Sequence, residues 1–104
     1  MAVLNLRRIE GDTSAEALLA RGIVRVDRKT KWGNEFRIGR NGTRADVIER
    51  YRRDLWRRIR ASEVDLDELA ALDRMDLCCW CAPLQCHADV LARAAAWAAR
   101  RDAQ

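Results

Sequence analysis

Four cysteines and the single histidine of this 104-residue chain fall together in the run Cys78-Cys-Trp-Cys-Ala-Pro-Leu-Gln-Cys-His87. Three chemistries use such a set. Cys86 or Cys81 is a candidate nucleophile, with His87 beside it as the proton carrier. Cys79, Cys81, Cys86 and His87 together supply four donors of the kind zinc takes, which makes zinc the alternative reading. The spacing differs from the paired C-x2-C knuckles of common structural zinc sites, and two adjacent ligands do not easily point at one ion. Packing alone is the third account: free cysteine is among the most buried residue types, and for Cys78 this is the preferred reading.

A second group lies in Lys31-Trp-Gly-Asn34. A tryptophan offers a stacking face, an amide can read the polar edge of a base, and a cation can meet phosphate. Spacing alone favours the plainer account, a core Trp32 anchoring an irregular loop with Asn34 bonded to its own turn. Arg44 is a further phosphate contact, and Asp89 joins the ligand-binding candidates.

The elements that must position these residues follow from pattern. Val3 to Leu6 and Ile23 to Val26 read as short strands, and a helix opened by Ser14 and closed by Gly22 lies between them. Polar and turn-rich sequence runs from Arg28 to Asn34, after which Phe36 and Ile38 suggest another brief strand. Thr43 with Asp46 predicts the start of a long helix whose buried stripe is Val47, Ile48, Tyr51, Leu55 and Ile59. A shorter helix is expected from Asp65 to Leu72.

Met75 to Cys81 has the length and character of a strand, in which alternation sets Cys79 and Cys81 on one face and Cys78 and Trp80 on the other. Pro83 forces a loop. A last helix then starts near Cys86 or His87 and runs to Arg101. At such a start the free backbone N–H groups favour an anion, so Cys86 is expected to be the low-pKa thiol. Open α/β sheets usually bind ligands just there, beyond the carboxyl ends of their strands.

Composition agrees with a single α/β domain spanning residues 1–104: a small sheet of about three to four short strands with two long and one or two short helices. With 49% apolar and 35% charged residues the chain is globular, and its alanines imply a thin core in which a homodimer is an open option. The net charge is +4, and Lys29 and Lys31 are the only lysines among 20 basic residues. Arginine suits a phosphate-bearing partner, but Glu49, Asp54 and Glu63 interleave with the helix arginines, so a solvated face is preferred to nucleic-acid binding there. No apolar run reaches the roughly 18 residues of a membrane span and the N-terminus lacks a signal-like apolar stretch, so the cytoplasm is the expected location.

Lys31-Trp-Gly-Asn-Glu-Phe36, Gly42-Thr-Arg44 and Cys79-Trp-Cys-Ala-Pro-Leu-Gln-Cys-His-Ala-Asp-Val-Leu91 resemble, in order, the three motifs of a bacterial and phage family, domain of unknown function 4326. Glu35 departs from the proline usual in that family. The resemblance implies that Trp32 and Asn34 share a pocket with the cysteines, and a phage source would imply the host cytoplasm. The Cys-His helix start is also loosely similar to domain of unknown function 488, where an arginine follows in place of Ala88.

The leading expectation is a site that binds or processes a nucleotide, nucleoside or related phosphorylated ligand, in which Lys31, Trp32, Asn34, Arg44 and Asp89 bind and Cys86, His87 and Cys81 act. A zinc-stabilised interaction module without enzymatic activity is one alternative. An accessory protein acting on a host protein or nucleic acid is the other.

Overall fold

Alternation along the last strand decides how this molecule is layered. In the computed structural model, which describes residues 2–102, Val3–Asn5 (β1), Ile23–Arg25 (β2) and Asp76–Cys79 (β3) form one parallel sheet in the order β1-β3-β2. The last strand in the chain is therefore the central one, and Cys78 pairs with Leu4 on one side and Arg25 on the other. A parallel sheet needs cover on both faces. On one face Cys78 packs with Leu6, Leu18 and Ile23, beneath the helix Ala15–Ala20 (α1). On the other, Leu77 and Cys79 join Val26, Trp32, Tyr51, Leu55, Leu69 and Leu91 beneath Arg44–Arg60 (α2), Leu66–Ala71 (α3) and His87–Asp102 (α4).

The helices start where local chemistry satisfies their free N–H groups. Ser14 accepts from the Ala17 N–H, and Asp65 accepts from Asp67 and Glu68. Thr43 and Asp46 bond each other reciprocally, at 3.2 and 2.9 Å, in a complete capping box for α2. Ala88, Ala94, Ala95 and Ala98 are all buried, so α4 presents a face of small side chains to the core. Among the described residues no helix is long and apolar enough to cross a membrane.

Two expectations are corrected. Phe36 and Ile38 form no strand, because side chains take their ladder groups. The Phe36 N–H donates to Asn34 Oδ1, its carbonyl accepts from Arg28, and the Arg37 N–H donates to Asn41. The last strand also stops at Cys79, two residues short of the apolar run.

Candidate functional site

Asn5, at the carboxyl end of β1, sets the path of the chain as it leaves β3. Its amide donates to the carbonyls of Ala82 at 2.8 Å and Trp80 at 3.3 Å, and the Leu84 N–H closes a turn on the Cys81 carbonyl at 2.9 Å. From α2, Arg44 holds the far side of the loop through the Gln85 carbonyl at 3.0 Å. The loop is thereby pinned at both ends and delivers Cys86 back over Cys79.

The result is a three-thiol cluster. Cys79 Sγ and Cys86 Sγ are 3.1 Å apart, and the sulfurs of Cys79, Cys81 and Cys86 all lie within 4.8 Å of one another. Tetrahedral zinc with Zn–S bonds near 2.3 Å requires S···S separations of about 3.8 Å, which these distances bracket. The three cysteines are thus placed to hold a metal ion. Cys79 and Cys86 are buried, whereas Cys81 is half-buried.

The charge in this cluster sits differently from expectation. The hydrogen bond shared with Cys86 pulls Cys79 down, against burial, and the N–H groups of Cys81 and Ala82 add to the effect. Cys86, its partner, is pushed up by the same contact and by burial. The Ala88 N–H at the start of α4 favours its thiolate, but the Cys79 sulfur and burial outweigh that, while the Asp89 carboxylate accepts the Cys86 backbone N–H at 3.0 Å. Asp89 is therefore a helix cap. Behind the sheet, burial pushes Cys78 up to about 11, in line with a packing role.

His87, predicted both as proton carrier and as fourth zinc ligand, is not in the sulfur group. Its Nε2 meets the Val26 carbonyl, which can only accept, so Nε2 carries the proton and Nδ1 does not. Burial lowers its pKa more than that carbonyl raises it. Tyr51 packs against it edge-on at 5.0 Å.

Cys79, Cys81, Cys86 and His87 line a cleft of about 260 Å³ at the carboxyl ends of the strands, together with Asp27, Arg28, Lys29, Asn34, Phe36, Arg44 and Trp80. Of the expected ligand-binding residues, Asn34 and Arg44 line it and Lys31, Trp32 and Asp89 do not. Trp32 is a core residue whose carbonyl accepts from the buried Tyr51 hydroxyl at 2.9 Å, and Lys31 pairs with Glu68. Asn34 touches the cleft but is spent structurally: its amide donates to the Val47 carbonyl at 3.1 Å and its oxygen accepts from Phe36 at 3.0 Å. Between them Gly33 approaches so closely that a Cβ would lie 2.6 Å from the Arg28 Cα and 2.7 Å from the Asp27 carbonyl. The Lys31-Trp-Gly-Asn34 motif thus packs behind the cleft and reaches it through Asn34 alone, with Trp32 in the core beside Cys79 and Cys86.

Sequence reasoning missed Arg28, Lys29, Asp27 and Trp80. Alternation put Trp80 on the Cys78 face, but with the strand ending at Cys79 the ring turns to the cleft instead. Asp27 is buried against Arg25, with Nε 3.1 Å from Oδ1. The sequence signal for these residues is their position immediately beyond β2 and β3. On the outer face of α2, Arg52 and Arg53 pair with Glu49, Arg57 with Asp54 and Glu63, and Arg58 with Asp54, as the solvated-face reading expects.

Fold and site together define a small parallel α/β domain with a cysteine-centred cleft at its carboxyl edge. Its membership is specific: the model of the domain of unknown function DUF4326 matches residues 9–97, and the chain belongs to that family. The "Uncharacterized 12.4 kDa protein in nrdA-td intergenic region" of Enterobacteria phage T4 is 39% identical over 70 residues, covering 66% of this chain and 63% of that protein. No solved structure matches the chain.

Proposed function

We propose that this chain is a zinc-centred domain that binds a small phosphorylated ligand, a nucleotide or related compound. Cys79, Cys81 and Cys86 serve as the three protein ligands, and the fourth position is left to water or ligand, the usual plan of a reactive rather than a structural zinc. The observation that carries this reading is the grouping of three sulfurs within 4.8 Å in the wall of the cleft. Arg28, Lys29 and Arg44 line the same cleft and supply the charge an anion needs. The cleft lies at the carboxyl edge of a parallel sheet, the usual ligand position in such folds.

Elemental analysis of protein purified without a metal-affinity step, with thiol titration of the native fold, tests the metal. About one zinc per chain with three protected thiols is expected, and a chelator should free those thiols and lower the melting temperature. A metal-free protein whose Cys81 reacts at once would overturn the zinc centre. That outcome would favour a second reading, a metal-free thiol pocket, for which the half-buried Cys81 in a cleft that His87 also lines is the supporting observation.

A further inference from the structure

Trp80 is 50% exposed although it follows directly on buried strand residues. Its ring is nonetheless partnered, because the Arg7 guanidinium lies over it, 5.9 Å from the centroid. Trp80 lines the cleft and Arg7 does not, so the cation that contacts the indole lies outside the cleft wall. An aromatic ring both partnered and left in water forgoes the burial that normally stabilises such side chains. A stacked planar ligand would supply it.

Cations are organised on the same cleft. Arg28 donates through Nε to the Asn34 carbonyl at 2.9 Å, and Arg44 donates to Gln85, so both are positioned by backbone while keeping further N–H donors. At about 260 Å³ the cleft lies near the lower end of ligand-pocket sizes, suited to one nucleotide unit rather than a strand.

We propose that Trp80 is a ligand-stacking residue, and that the cleft takes a planar heterocycle bearing an anionic group, the chemistry of a nucleoside monophosphate, with Arg28 and Arg44 meeting the anion. This inference rests on the cleft being a ligand site and is independent of the metal.

The test is calorimetric titration of the full chain with adenosine and uridine monophosphates, with adenosine and inorganic phosphate as fragment controls, and zinc content measured on every sample. The monophosphates should bind more tightly than either fragment. Trp80→Ala should weaken them by about tenfold or more and leave inorganic phosphate unaffected, while Trp80→Phe retains most of the affinity. Circular dichroism and melting verify that the variants are folded. The inference is overturned if the wild-type protein binds neither monophosphate, if inorganic phosphate binds as tightly as they do, or if Trp80→Ala changes the oligomeric state rather than the affinity. Monophosphate binding by protein that lacks zinc would sink the metal centre and leave the stacking site standing.

Discussion

Cys78 and Cys79 are covalent neighbours separated by the thickness of the sheet: one packs with Leu18 and Ile23, the other lies 3.1 Å from Cys86. Their substitutions should therefore diverge. Cys78→Ala should cost about 1 kcal/mol, as an ordinary core change, and keep the metal. Cys79→Ala should abolish metal binding, read as zinc per chain. Equal zinc in the two variants would remove Cys79 from the centre.

Gly33 leaves no room for a side chain, since a Cβ would press on the backbone of Asp27 and Arg28. Gly33→Ala should destabilise the fold by about 1–3 kcal/mol through overpacking, measured by urea denaturation. The loop it displaces is the wall of the cleft, so ligand affinity should fall with it.

Asn34 joins the loop to α2 through Val47 and to Phe36 through its own oxygen. Asn34→Ala leaves those buried partners unsatisfied, and a loss of about 1–3 kcal/mol is expected. A variant of unchanged stability that failed only in ligand binding would show that the amide reads the ligand after all.

Asp27 provides the acid dependence. Burial alone would raise its pKa, but the Arg25 hydrogen bonds and charge outweigh burial and hold the carboxyl below its usual 3.8. Because the folded value is the lower one, the stabilisation is whole above pH 3.8 and is lost as pH falls through the folded value. Asp27→Asn should destabilise by about 1–3 kcal/mol near pH 7, and the gap to wild type should narrow on acidification below pH 3.8. Parallel stability curves for the two proteins down to pH 2 would contradict this.

What could be read from the sequence was local. Thr43 and Asp46 stand three residues apart and cap the same turn, so the start of α2 was visible without any tertiary contact. Alternation set Cys79 and Cys81 together and the loop marked by Pro83 returned Cys86 to the same end of the sheet; the three sulfurs do lie together, although Cys81 is beyond the strand that the alternation assumed. The inward turn of Trp32 was weighed but its location depends on the Tyr51 hydroxyl, a partner from another element. Trp80 was misplaced because the end of β3 is governed by the Asn5 side chain of a distant strand. The expectation for Cys86 took account of the helix start but not of the neighbouring Cys79 sulfur and burial, which outweigh it.

The sheet order β1-β3-β2 also has a consequence for the growing chain. A ribosome releases both outer strands before the one that must lie between them, so β1 and β2 have no ladder to join until Asp76–Cys79 emerges. Pairing over that sequence distance carries a large closure entropy and favours late, cooperative closure. Every residue of the thiol centre is translated within or after that strand. The sulfurs of the cleft therefore join the fold with the strand that completes the sheet, after the residues of the opposite wall, Asp27 to Arg44, have already been made.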